Sequence, residues 1–299
     1  MSRTTSRADI YAQVTSHIIS ELERGVRPWL KPWNAELAGG RITRPLRHAG
    51  QPYQGINILI LWAASESSGY ASPYWLSFKQ CRELGGHVRK GEKGTSVVYA
   101  SSFKATETSD DGQETEATVP FLKEYTVFCA DQCDGLPLRF AAPLSAPTEP
   151  LQRIERADAF FANVGATILT GGSQAYYAPG ADHVRMPPFE AFRDAESHAA
   201  TLAHELTHWT SHPSRLNRDF GRKRWGDEGY AMEELVAEMG SAFLGADLEL
   251  PPELRDDHAS YISSWLKVLK QDKRAIFTAA SHASKAVEFL HGKQPTLAA

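Results

Sequence analysis

Cysteine is scarce in this chain: Cys81, Cys129 and Cys133 are all there are among 299 residues, with no Cys-x-x-Cys spacing. An odd, scattered set excludes a disulfide framework and a zinc ribbon, and leaves buried thiols as the expectation. No apolar run is long enough to span a bilayer and no hydrophobic segment marks an amino-terminal signal, so a soluble, cytoplasmic protein with no membrane contact is expected. Internal repeats are missing too. With 42 % hydrophobic residues over this length, the chain has apolar material for two globular domains.

Glycine and proline are absent from residues 194–210, where Ala195, Ala199, Ala200, Leu202, Ala203 and Leu206 favour a helix that stops before Pro213, with Asp194 as its N-cap. That helix carries His204-Glu-Leu-Thr-His208. Two His four apart on a helix lie about 40° apart around the axis, so both imidazoles can reach one metal ion. Glu205, about 100° round from His204, falls beside that ion, where a carboxylate can take a proton from water at an open coordination position. The bland alternative is a buried amphipathic helix whose two His are only hydrogen-bonded.

A catalytic zinc keeps three protein ligands. The best source of the third is a second predicted helix, residues 230–244, ending at Gly245. Glu234 and Glu238 share one of its faces, while Leu235, Val236, Met239 and Phe243 supply the apolar surface. Glu234 is the chosen ligand. Glu238, one turn on, would then hold the other ring nitrogen of a liganding His, although the reverse assignment stays open. Glu233 points about 100° away and is expected to be solvated or to support a ligand from outside.

His204 to His208 followed by Glu234-x-x-x-Glu238 resembles the gluzincin branch of the zinc metallopeptidases. The acidic residue four after the glutamate ligand is usually Asp there, so Glu238 is a departure. The metzincin pattern does not fit. His212 comes four residues after His208, and three ligands along one helix would span about 12 Å, too far for one ion; His212 is read as a helix-end or substrate-side residue. The segment 164–170 reads as a strand and residues 175–187 as a hairpin turning at Pro179-Gly180. The gluzincin resemblance implies that residues 183–186 form an edge strand where an extended peptide pairs with the main chain. An ordinary surface hairpin is the alternative.

Charge is unevenly distributed. Arg24 to Lys104 holds 12 Lys plus Arg against 4 Asp plus Glu, whereas the whole chain has a net charge of −4. An anionic partner on the basic part is expected, and nucleic acid is the usual one. Trp29, Trp33, Tyr53, Trp62, Tyr70, Tyr74, Trp75 and Phe78 are interleaved with these cations. Rings for stacking beside a positive groove suit single-stranded DNA, with two or three rings at most touching bases and the rest in the core. Arg41, Arg44, Arg47, Arg89, Lys90 and Lys93 are the phosphate candidates. A solvated basic face remains the alternative.

Gln51-Pro-Tyr-Gln-Gly-Ile-Asn57, Trp75-Leu-Ser-Phe-Lys-Gln80 and residues 85–94 are similar to the amino-terminal domain of the ArdC antirestriction family. His204 to His208, Ser211 to Arg218 and Glu233 to Glu238 resemble the metallopeptidase domain of the same family. The resemblance implies single-stranded DNA binding, with Tyr53, Asn57, Trp75 and Lys79 added to the contacts, and a plasmid- or phage-borne protein that shields incoming DNA from host restriction during transfer. Double-stranded DNA is the alternative ligand.

The expected fold is α+β in two domains, a DNA-binding domain over 1–140 and a zincin-like domain over 151–299, joined by the Pro-rich linker 136–150. Helices are expected over 9–23, 56–65 and 151–163, strands over 95–99 and 125–130, a polar hairpin tip or insertion over 104–118, and a helical tail over 252–290. The expected chemistry is metal-assisted peptide hydrolysis on an unknown protein substrate, with Zn²⁺ as cofactor and Mn²⁺ as alternative, Glu205 as base, and Tyr230 or His183 facing the oxyanion. A non-proteolytic DNA-coating protein with a structural metal is the second hypothesis. A metal-dependent nuclease is the third and weakest, since such sites gather carboxylates around Mg²⁺ or Mn²⁺.

Overall fold

The computed structural model describes residues 7–29, 43–108, 114–141, 150–221, 227–250 and 259–295. Helix α1 (Arg7–Glu23) buries Ile18 and Leu22. After strand β1 (Leu46–Arg47) comes α2 (Ile56–Ser68), whose sequence INILILW leaves almost no polar side; Ile58, Leu59 and Leu61 are wholly buried. It ends at Gly69, at φ 69°, a left-handed cap that glycine adopts without strain. Then follow β2 (Tyr74–Leu76), α3 (Phe78–Glu83), β3 (His87–Val88), β4 (Thr95–Thr108), β5 (Glu114–Cys129) and β6 (Cys133–Asp134). Ser77 starts α3 with a capping box, its side chain accepting from Gln80 N while the Gln80 side chain accepts from Ser77 N.

The main sheet has the order β1-β2-β5-β4, and β3 pairs separately with β6. In the β4–β5 hairpin Thr95 faces Val127 and Thr108 faces Glu114. The strands are thus much longer than the expected 95–99 and 125–130. Thr and Val recur through 106–119 and favour extended backbone, which outweighed the polar composition that suggested a loose insertion. Residues 109–113 at the tip lie outside the described residues.

Past a short turn of helix, α4 (Leu138–Ala141), the second half opens with α5 (Pro150–Val164). A small sheet follows: β7 (Thr167–Thr170), β8 (Tyr176–Ala178) and β9 (His183–Met186), in the order β7-β9-β8. Next are α6 (Ala195–Trp209), α7 (Glu228–Leu248), α8 (Ala259–Gln271) and α9 (Ala275–His291). α7 passes through Gly245, the expected stop, and ends at Glu249 in a left-handed cap, because burying Leu248 and Leu250 favours one more turn. The expected single tail is two helices, parted at Asp272, whose carboxylate accepts from Arg274 N.

One core runs through both halves. Trp29 meets Trp265 at 5.5 Å between ring centroids, Trp62 meets Phe243 at 5.8 Å and Tyr11 meets Phe277 at 4.5 Å. Polar links accompany them: Thr15 Oγ1 donates to Lys273 O at 2.7 Å, and Gly55 N donates to Ser284 Oγ at 2.8 Å. The basic half is therefore seated on α7, α8 and α9, the helices that carry and back the acidic candidates.

Candidate metal centre

Asp194 caps α6 by accepting from Ser197 N at 2.8 Å, in the expected role. Its pKa is lowered to about 2, first by the Ser197 hydroxyl, then by the Ser197 N–H and by Arg193. α6 lies close on α7 because Gly240 has no side chain: a Cβ there would stand 2.5 Å from Thr207 Cγ2. Thr207 Oγ1 turns back to Ala203 O at 2.8 Å, and Ser241 Oγ donates to Ala200 O at 3.0 Å.

This close approach brings His204, His208 and Glu234 together, with one donor atom of each within 4.8 Å of the others. The two Nε2 atoms are 3.2 Å apart. Each is 3.5 Å from a different oxygen of Glu234. Both Nδ1 atoms face away, onto carboxylates: Glu238 Oε1 lies 3.3 Å from His204 Nδ1, and Glu233 Oε1 lies 3.0 Å from His208 Nδ1. Two imidazoles aimed through Nε2, His208 hydrogen-bonded at Nδ1 and His204 with the Glu238 charge beside its Nδ1, plus one carboxylate make a donor set that fits Zn²⁺ or Mn²⁺. Glu234 faces the shared point and Glu238 does not.

Glu233 is not solvated. It accepts from His208 and, in bidentate fashion, from Arg218 Nε at 2.8 Å and Nη2 at 2.6 Å. Of the two expectations for Glu233, support of a ligand from outside is the one that fits; Arg218 did not stand among the expected site residues. The signal available was Arg218 at the end of the family segment Ser211 to Arg218, together with a second acid beside the ligand. Burial alone would strip the proton from His208, but Glu234 and Glu233 outweigh it and hold its pKa up at about 10 in the metal-free chain. Burial pushes Glu234 up, yet His208 and His204 keep it well below the carboxylate range. A metal cation must therefore displace protons as it binds.

Glu205 is 3 % exposed and forms no hydrogen bond or ion pair with any described residue. Tyr230 is buried at the start of α7, its hydroxyl 3.0 Å from Tyr261 and bonded to Glu234; burial, then the Glu234 charge, raise its pKa. His183 begins β9 with Nε2 buried and without a hydrogen-bond partner among the described residues. His212 closes the turn after α6, its Nδ1 2.7 Å from Ser214 Oγ. Arg215 binds this turn to the β8–β9 hairpin: Nε donates to Trp209 O at 2.7 Å, the guanidinium stacks 3.8 Å from the Trp209 ring centroid, and it pairs with Asp182.

One expectation is overturned by topology. Residues 183–186 form the central strand of the small sheet, bonded to β7 on one side and β8 on the other, so they offer no free edge for a peptide. Among the described residues the outer strands of this sheet are β7 and β8. A hairpin read alone does not reveal that the earlier strand 167–170 pairs with its second arm.

The DNA candidates divide by exposure. Tyr53 and Trp75 are buried at 3 % and 0 %, which makes them core rings rather than stacking platforms. Asn57 is spent on the backbone of Val98, donating at 2.7 Å to its oxygen and accepting at 2.9 Å from its nitrogen. Arg44 forks onto Asp247 at 2.6 and 2.7 Å, so its charge is used between the halves. Arg47, Lys79, Lys90 and Lys93 are exposed, and Arg89 is partly engaged by Glu92 at 2.9 Å. Arg41 and Trp33 lie outside the described residues. Exposed rings do exist on the same half, at Phe78, Tyr99 and Tyr125, which are 52 %, 53 % and 37 % exposed. Tyr99 and Tyr125 stand at the ends of the expected strands 95–99 and 125–130, where alternation alone does not tell which face meets solvent.

The fold and the donor set define a two-part α+β protein with a His-His-Glu metal site, and comparisons with known proteins place it in a family. Residues 155–282 match the family model described as zincin-like metallopeptidase, and residues 8–128 match the N-terminal domain of anti-restriction factor ArdC. Crystal structures of the antirestriction ArdC protein from plasmid R388 superpose with TM-scores of 0.79 (metal-free, 44 % identity, covering 95 % of this chain and 97 % of that one) and 0.76 (Mn(II)-bound, 43 %, 95 % and 98 %). The uncharacterized protein y4eC of Sinorhizobium fredii is 43 % identical over 295 residues, covering 96 % of this chain and 92 % of that protein. The DNA primase TraC of Escherichia coli is 38 % identical over 296 residues, covering 94 % of this chain but 27 % of TraC. The chain thus corresponds to about a quarter of that primase. It belongs to the ArdC antirestriction family.

Proposed function

We propose that this protein binds single-stranded DNA through its basic half, protects incoming DNA from restriction, and hydrolyses a peptide bond in a DNA-associated protein at the His204, His208 and Glu234 centre. The observation that supports hydrolysis is Glu205. Glu233, Glu234 and Glu238 are all committed to His or Arg partners, whereas Glu205, next to His204 on α6, has no such partner among the described residues. A carboxylate next to a metal-binding His and not tied up in an ion pair is the arrangement a general base needs.

Bound at the three donors, a divalent cation supplies Lewis acidity toward a carbonyl and makes water more acidic. Glu205 then accepts the proton and passes it to the leaving amine. Tyr230, held between Glu234 and Tyr261, orients the ligand carboxylate, and His183 with its unpartnered Nε2 is the remaining candidate for the oxyanion. The peptide pairs with β8 or β7, the edges of the small sheet. On the DNA side Arg47, Lys79, Arg89, Lys90 and Lys93 contact phosphates, while Phe78, Tyr99 and Tyr125 provide stacking faces. The linker between the two functions falls within 136–150.

Glu205→Gln tests this reading. It should leave metal content unchanged and lower hydrolysis of a generic protein substrate by about 10²- to 10⁴-fold. If the variant hydrolyses at the wild-type rate, Glu205 is not the base. If Glu205→Gln still protects transferred DNA fully, the second reading gains: a DNA-coating protein whose metal holds α6 to α7.

A further inference from the structure

The two imidazoles are supported by parallel chains of charge, hydrogen-bonded throughout on the His208 side and held by ion-pair proximity on the His204 side. His208 Nδ1 meets Glu233, and Glu233 is neutralised by Arg218, whose side chain is 0 % exposed. His204 Nδ1 meets Glu238, and Glu238 Oε2 lies 3.6 Å from Arg27 Nη1, with the Arg27 and Glu238 side chains 8 % and 4 % exposed. Each support is a chain of cation, carboxylate and imidazole. Arg218 comes from the loop after α6, within the metallopeptidase domain, but Arg27 comes from the other half of the sequence, just past α1.

A carboxylate as buried as Glu238 is costly unless a cation accompanies it. Arg27 is the cation that the structure places there. Trp29, two residues on, packs edge-on against Trp265 at 5.5 Å between centroids, so the segment is anchored on the metallopeptidase side. Without Arg27, the carboxylate gains by turning away from the interior. His204 is then left without the partner that fixes its ring and directs Nε2 at the shared donor point.

We propose that Arg27 is a positioning residue of the metal centre, so that the amino-terminal DNA-binding half completes a site whose three ligands all lie in the other half. The metal site is then shared between the domains, and a disturbance of residues 24–29 is read as a change in metal affinity. This rests on the ligand assignment above.

The test is the affinity of the full chain for Zn²⁺ and Mn²⁺, measured by competition with a chromogenic chelator. Arg27→Gln should weaken binding by about 10- to 100-fold, the range for removing a partner that orients a ligand. Ser284→Ala, which removes a bond between the halves that involves none of the ligands or their carboxylate partners, should stay within about twofold. In a Glu238→Gln background the substitution of Arg27 should cost almost nothing, because the charge it balances is gone. Arg27→Gln binding as the wild type does, or an Arg27→Gln/Glu238→Gln protein well below Glu238→Gln alone, overturns the proposal. The double variant pairs two neutral groups and answers the question even if Arg27→Gln alone does not fold. Glu234→Ala, run alongside, reports separately on the ligand assignment.

Discussion

At the residue scale the centre is defined by partners more than by burial. The spacing of His204 and His208 was legible because a helix converts four residues into one face, and Glu234 with Glu238 followed from the same rule on α7. For Glu233 two uses were legible, solvent or support of a ligand, but not the choice between them, since that depends on which imidazole stands opposite and so on how α6 and α7 cross. Asp194 was legible as a cap and gives a prediction of its own. Asp194→Ala should cost about 1 kcal/mol of stability, read from denaturant unfolding. The folded-state pKa is depressed from 3.8 to about 2, so the charged cap contributes fully above about pH 4 and is lost as the pH falls through about 2. The stability gap between wild type and Asp194→Asn should therefore narrow over that window; a gap that widens on acidification contradicts it.

At the element scale the packing of α6 on α7 sets the donor geometry, and Gly240 permits it. Gly240→Ala forces a methyl against Thr207, 2.5 Å from Cγ2. Overpacking of this kind costs about 1–3 kcal/mol, and pushing the helices apart should also weaken metal binding, measured by chelator competition. Gly240→Ala/Thr207→Ala, which removes both the methyl at 2.5 Å and the hydroxyl at 2.8 Å, should recover most of both. The sheets show where local reading stops. Helix and strand identities came from periodicity, but the length of the β4–β5 ribbon came from cross-strand pairing, and the central place of β9 came from its pairing with β7. Neither is encoded in a window of a few residues.

At the scale of the whole molecule, the charge separation has two destinations. Arg44 and Arg27 face Asp247 and Glu238 between the halves, while Arg47, Lys90 and Lys93 lie exposed on the surface. The charge count could not distinguish these uses, nor could it tell Trp75 in the core from Tyr99 on the surface. Binding to single-stranded oligonucleotides should weaken steeply with salt, and Lys90→Ala/Lys93→Ala should reduce the log–log slope by about one for each phosphate no longer neutralised. Tyr99→Ala and Tyr125→Ala should each cost about 1–3 kcal/mol of binding with the fold intact. Trp75→Ala should unfold the basic half, as expected of a fully buried ring. Fluorescence anisotropy across a salt series with thermal unfolding checks all three, and an affinity indifferent to salt contradicts the phosphate pairing.

The most direct test of the centre itself is elemental analysis of the purified chain after equilibration with limiting Zn²⁺ or Mn²⁺ and gel filtration, beside His204→Ala, Glu234→Ala and Glu238→Ala. The expected result is about one equivalent of metal in the wild type, none in His204→Ala and Glu234→Ala, and a reduced but measurable amount in Glu238→Ala, since three ligands are required and Glu238 only steadies one of them. Full metal content in Glu234→Ala, or its loss in Glu238→Ala alone, would contradict the arrangement of two imidazoles and one carboxylate described above.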